Sequence, residues 1–198
     1  MIFLSGRWRK TGIAATAAVV ITVGSLAVAN REKIPYLPHA AKFCFSQLFT
    51  HQAPYERMVD EEFAKAGMTE YARLGKAIIW TENRFWIPNM RVKNSDGTFD
   101  YGLGGLNSKT LKDLKEIHGL KIDPLKPRDN ILGMVNHLQW LETRFERNNG
   151  WARLPMREKE RRLAAAYHTG VVKPAERLGP EGRAYALKVS NTIIRRYL

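Results

Sequence analysis

Apolar residues recur at helical spacing through most of the chain beyond residue 50. Tyr71, Leu74, Ile78 and Phe85 share one face of a predicted helix. Residues 54–66 start with a proline suited to a first helical turn and repeat Met58, Val59 and Phe63. Leu111, Leu114 and Ile117 predict a helix over residues 108–118, closed by Gly119. Ile131, Met134, Leu138, Leu141 and Phe145 predict a longer one over 129–148, with Asp129 as cap and Gly150 as stop. Residues 157–168 are basic at first and alanine-rich afterwards, and residues 180–197 align Tyr185, Val189 and Ile193. Strand-like alternation is confined to short pieces around residues 97–103, and no repeat or heptad appears. The pattern predicts a mainly helical domain with a small irregular or β-like segment.

One polar residue breaks the first of these stripes. Glu82 follows Ile78 and Ile79 by one turn and precedes Phe85 and Trp86 by another. Pro88 biases Ile87 away from the helical region, so the helix is expected to end within about two turns of Glu82. Burial disfavours the ionised carboxylate, and the negative end of the helix dipole acts in the same direction. Both raise the pKa, and a carboxyl still protonated near neutrality is what general acid catalysis requires. A boundary glutamate that reaches solvent or pairs with Arg73 or Arg84 fits the same stripe.

Downstream, Asn94-Ser-Asp-Gly97 reads as a turn. Asp100-Tyr-Gly-Leu-Gly-Gly-Leu-Asn107 is glycine-rich and ends in the helix-capping pair Asn107-Ser108; Ala164-Ala-Ala-Tyr-His-Thr-Gly170 comes much later. In this order the chain resembles the lytic transglycosylases of the goose-type-lysozyme fold (the SLT domain). Their pattern is Glu-Ser on a helix, then Gly-Leu-Met-Gln-Ile-Asn, then Ala-Tyr-Asn-Ala-Gly, then Tyr-Val-x-Lys-Val. The corresponding segments are Glu82-Asn83, Gly102-Leu-Gly-Gly-Leu-Asn107, Ala166-Tyr-His-Thr-Gly170 and Tyr185-Ala-Leu-Lys-Val189. Asp123-Pro124 and Asn130-Ile131-x-Gly133 also fit, and the resemblance spans residues 70–198.

The resemblance implies a lysozyme-like helical domain that cleaves peptidoglycan glycan strands without a cofactor or metal. Glu82 would protonate the bond between N-acetylmuramic acid and N-acetylglucosamine, then take the C6 hydroxyl proton, leaving a 1,6-anhydromuramyl end. Tyr167 matches the tyrosine that orients the acid or the sugar. Gly102, Leu103, Gly104 and Gly105 match the cleft-lining segment, with Asn107 at its end. Two departures stand out. Gly104-Gly105 replaces the family Met-Gln pair, and His168 replaces an asparagine, which makes pH sensitivity an expectation. Asp96 and Asp100 lie where a hydrolytic goose-type lysozyme could place a water-activating carboxylate; a turn residue and a solvated loop residue explain them as well.

Composition adds the compartment. The formal net charge of +13 suits an anionic polymer or surface. A single cysteine, Cys44, excludes an internal disulfide, and five histidines without cysteine partners argue against a zinc site. Arg7, Arg9 and Lys10 precede an uncharged run over residues 11–29 that is about long enough to cross a bilayer, and Ala27-Val-Ala29 also reads as a signal cleavage site. Residues 1–30 are therefore expected to be a signal peptide or membrane anchor. Residues 31–69 would be a linker and accessory helices, including an apolar, aromatic stretch at 39–51, and residues 70–198 the catalytic domain on the periplasmic side of a bacterial inner membrane. A phage origin would place it at the virion or membrane. The expected partners are glycan strands, the membrane through residues 11–29, and an envelope-spanning secretion, conjugation or phage-entry assembly; nucleic acid is not expected. The alternatives are a hydrolytic lysozyme, a sugar-binding relative without turnover, and a non-enzymatic basic binding protein using Arg157, Lys159, Arg161, Arg162, Arg195 and Arg196.

Overall fold

A computed structural model describes residues 52–83, 87–147, 150–170, 172 and 178–198. The expectations for residues 1–51, and for the structure of Arg84, Phe85 and Trp86, lie outside the described residues. The chain divides into two compact units, Met1–Ala53 and Pro54–Leu198, and the second carries nearly all that is described. It is mainly helical. Six α-helices and a three-stranded antiparallel sheet are present among the described residues.

Helix α1 (Gln52–Lys65) buries Val59 and Phe63, one turn apart, as its apolar spacing requires. The Phe63 ring lies against Gly75 of α2 (Ala72–Glu82), where a β-carbon would collide with it. A 3-10 turn at Thr69–Tyr71 leads into α2, which buries Leu74, Ala77, Ile78 and Ile79. The helix does not carry the apolar stripe past Glu82, as the periodicity predicted; Glu82 is its last residue. Asn83 leaves the helical region at φ −139°, its side-chain Oδ1 accepts the Ile87 N–H at 3.0 Å, and its side-chain Nδ2 donates to the Ile87 carbonyl at 2.6 Å. A short polar side chain that bonds the backbone in this way replaces a helical turn with a local loop.

The sheet follows as β1 (Arg91–Lys93), β2 (Phe99–Tyr101) and β3 (Leu106–Asn107), paired in that order. Its register sets Arg91 opposite Tyr101 and Asp100 opposite Asn107. The alternation around 97–103 corresponds to β2, while β1 is exposed at all three positions and so has no apolar face, and β3 has only two residues. Helix α3 (Ser108–His118) starts from Asn107, whose side chain accepts the Lys109 N–H at 2.9 Å, and ends at the left-handed Gly119. Its face is narrower than predicted: Leu114 is buried, but Ile117 is 61% exposed.

Helix α4 (Pro127–Glu146) runs through the core and buries Ile131, Met134, Val135, Leu138, Leu141 and Phe145. It begins two residues earlier than predicted. Pro127 takes the first turn, and the Asp129 carboxylate accepts the Asp123 N–H at 3.0 Å instead of capping its own helix. Helices α5 (Met156–Thr169) and α6 (Pro180–Arg196) pack closely on each other, and α6 also packs on α2. The buried Glu160 is held by Arg73 through two guanidinium bonds, at 2.6 and 3.2 Å. Arg73 is therefore engaged with α5 and is not the partner of Glu82. In this packing the C-terminal ends of α2 and α5 and the first turns of α6 come together.

Candidate active site

The glycine-rich segment is fastened to the core by one side chain. Asn130 of α4 is fully buried; its amide donates to the carbonyls of Tyr101 and Pro124, both at 2.8 Å, and its oxygen accepts the Gly104 N–H at 2.7 Å. Gly102 turns at φ +68°, and a β-carbon there would strike the Asn130 amide and the Pro124 carbonyl. Leu103 is fully buried, so it offers a ligand no exposed surface and supports the loop from behind. Gly105, at φ +59°, passes so near Glu82 that a β-carbon would lie 3.0 Å from its Oε2. Glycine is thus required at 102 and 105 by both conformation and space.

Around Glu82 the side chains come from four elements. Burial raises the Glu82 pKa most; the nearby Tyr185 hydroxyl opposes it, the Asp100 charge adds to the rise, and Lys188 opposes it. The net shift is upward, as the sequence predicted. Tyr167, from α5, donates its hydroxyl to the Gly104 carbonyl at 2.7 Å, and burial with the charges of Glu82 and Asp100 raises its pKa well above the ordinary value. It remains a neutral donor throughout the useful pH range. Tyr185, from α6, is buried, and its hydroxyl meets no acceptor at hydrogen-bond geometry among the described residues. It lies near enough to Glu82 to favour the carboxylate, so the contact is a close approach rather than a formed bond.

His168 is exposed and stacks flat on the Tyr185 ring, with centroids 4.3 Å apart and planes 3° from parallel. Burial of its inner face lowers its pKa, so the neutral ring prevails at pH 7. On the other side of Tyr167, His137 of α4 tilts against it at 5.4 Å and stacks on Trp140 at 5.8 Å. Burial, with a smaller contribution from His118, pushes the His137 pKa down to about 4. It is therefore an uncharged packing partner for Tyr167.

The two aspartates separate. Asp96 accepts from the Thr98 N–H and hydroxyl and pairs with Lys109 at 2.9 Å, on the exposed turn. Asp100 sits in β2, half-buried, accepts from Asn107 at 2.8 Å, and its charge is felt at Glu82, Tyr167 and His168. Asn107 therefore reaches both Asp100 and the start of α3.

The structure brings Glu82, Tyr167, Gly104, Gly105 and, through Asp100, Asn107 near one another, with Gly102 and Leu103 shaping the loop behind them. Asn130 and Tyr185 are added by the structure. Tyr185 was visible as part of an apolar stripe and of the last motif, but no spacing rule reports that its hydroxyl ends beside Glu82. Asn130 was visible as the first residue of the Asn130-Ile131-x-Gly133 motif, but nothing in the sequence reports that its side chain holds the glycine-rich loop. Among the described residues no cluster of three or more His, Cys, Asp or Glu could hold a metal ion, and no helix is long and apolar enough to cross a membrane. A cavity of about 50 Å³ lined by Arg73, Arg157, Glu160, Ser190 and Ile193 lies at the opposite end of α2, α5 and α6; it is too small for a sugar ring.

No family model, curated protein or solved structure matches this chain.

Proposed function

We propose that the unit Pro54–Leu198 is a lysozyme-like lytic transglycosylase acting on peptidoglycan. The observation that carries the proposal is Glu82: a carboxyl at a helix C-terminus whose pKa is raised chiefly by burial, pressed by the Gly105 backbone and faced by two neutral tyrosines. Glu82 would deliver its proton to the glycosidic oxygen as the bond to the muramic anomeric carbon breaks, and the resulting charge develops as an oxocarbenium-like centre. The C6 hydroxyl of the same muramic residue then closes on that carbon, and its proton passes to the Glu82 carboxylate. The proton count balances, and no water is consumed.

Tyr167 and the Gly104 carbonyl form one wall next to the acid. Gly104-Gly105 in place of a Met-Gln pair leaves backbone rather than side chain on this side of Glu82, so sugar recognition there falls to the main chain. In this proposal residues 11–29 anchor or export the unit to the periplasmic side of a bacterial inner membrane, where glycan strands are its partner. An envelope-spanning assembly would then use it to open the wall locally.

Hydrolysis is the second reading, favoured by one observation: the Asp100 charge reaches Glu82. A carboxylate so placed is what activation of a water by a goose-type lysozyme would need. A purely binding protein has no use for a buried, raised glutamate. Mass spectrometry of products from purified sacculi separates the readings. Muropeptides ending in 1,6-anhydromuramic acid, one water lighter than the reducing form, are expected. Reducing ends, abolished by Asp100→Asn, would establish the lysozyme instead, and no release by the full chain would leave binding.

A further inference from the structure

The face-to-face contact of His168 and Tyr185 has no counterpart in the family motif, where an asparagine stands at this position. The His168 ring lies parallel to one face of the Tyr185 ring, at 4.3 Å and 3°, although His168 itself is exposed. Behind it, the Tyr185 hydroxyl is buried and without an acceptor, which is costly and persists only where surroundings exclude water. His168 thus stands between solvent and a buried polar contact that adjoins Glu82.

We propose that His168 is a positioning residue: its ring, stacked on Tyr185, holds the Tyr185 hydroxyl against Glu82 and keeps water out of that contact. The aromatic face does this work, since stacking needs a flat ring and not a charge. Asparagine, which retains hydrogen-bonding capacity but has no ring, cannot replace it. The groups that face the pair are Glu181 and Lys188 on α6 and Asp100 on β2, with Tyr167 on α5 next to Tyr185. None of them changes in the variants below, so a change at Glu82 reports the loss of the stack. The inference deepens the proposed function, since it rests on Glu82 being the acid.

The test follows the Glu82 carboxyl directly, by carbon NMR titration of the full chain, beside the pH profile of wall cleavage. His168→Phe keeps the ring and removes the titrating nitrogen; His168→Asn and His168→Ala remove the ring. With the ring lost, release of the Tyr185 hydroxyl raises the Glu82 midpoint and entry of water lowers it. Burial is the larger influence, so the midpoint falls, by about one pH unit for partial relief of burial. The alkaline limb of the rate profile then moves down by the same amount, about a tenfold loss on that limb. His168→Phe should restore both. A Glu82 midpoint in His168→Ala and His168→Asn that superimposes on the parent overturns the proposal. So does a shift that His168→Phe fails to restore, because a structural role of the histidine nitrogen would then explain it. If the parent cleaves no wall at all, the proposed function fails, while the titration still decides whether the stack holds Glu82.

Discussion

At the scale of single residues, Glu82 illustrates the cost of keeping an acid ready. Burial is the largest influence on its carboxyl, Tyr185 and Lys188 oppose the rise, and Asp100 reinforces it. A carboxyl whose pKa is higher folded than unfolded contributes stability below its unfolded pKa and loses it as pH rises through the folded pKa. Glu82 therefore weakens the fold at neutral pH in return for a protonated group. Glu82→Gln keeps the shape and removes that conflict. It is expected to raise Tm by roughly 2–4 °C near neutrality, the effect of about 1 kcal/mol on a chain of this size. The difference should vanish near about pH 4, as thermal melts across pH would reveal. Wall-clearing activity of the same variant should fall at least about a hundredfold, the scale of general acid catalysis. In the parent, activity should decline as pH rises through the elevated Glu82 pKa, since only the protonated form donates. A variant that melts alike at all pH values and clears wall suspensions normally would exclude Glu82 as the acid.

At the scale of elements, the decisive piece is the loop between β2 and β3, which has almost no side chains of its own to hold it. Asn130 ties it to α4 through the Gly104 N–H and the Tyr101 carbonyl, and a third bond reaches the Pro124 carbonyl ahead of that helix. Asn130→Ala leaves the Gly104 N–H and two carbonyls without partners, each costing about 1–3 kcal/mol when buried. A loss of about 3 kcal/mol in denaturant unfolding is expected, with activity reduced further because the Gly104 carbonyl then no longer fixes Tyr167. Gly102→Ala should behave similarly, since its β-carbon would meet the Pro124 carbonyl at 2.5 Å in a left-handed conformation. If Asn130→Ala unfolds at the parent's denaturant midpoint, the loop is held by something else. Much of this element was legible beforehand: glycines and the Asn107 cap marked a loop closing into a helix. The link to Asn130 was not, because residues 26 positions apart have no local pattern.

At the scale of the whole molecule, charge and site lie at different ends. Arg157, Lys159, Arg161 and Arg162 occupy the first half of α5, where Glu158 pairs with both Arg161 and Arg162. Tyr167 stands ten residues beyond Arg157, about 15 Å along a helix. The charges that shift Glu82 are those of Asp100 and Lys188 and not these four cations. Attraction to an anionic wall should nonetheless weaken as salt rises. Sedimentation with intact sacculi is expected to show binding that falls steeply between low and physiological salt. Replacing the four cations with serine should flatten that dependence while leaving turnover of short soluble strands unchanged. Equal loss of turnover would place the basic surface within the catalytic machinery.

By itself the sequence determined the helical class, most of the helix spans, the cap at Asn107 and the unusual setting of Glu82. These follow from interactions within a few residues: apolar period, turn chemistry, and the bias that Pro88 imposes. Tertiary structure alone decided that Arg73 goes to Glu160, that Asp100 and not Asp96 reaches the site, and that the Tyr185 hydroxyl ends beside Glu82. The physical reason is that each depends on which buried polar group finds a partner across the core. Such partners are matched in three dimensions, between helices whose order along the chain says nothing of the distance between their side chains.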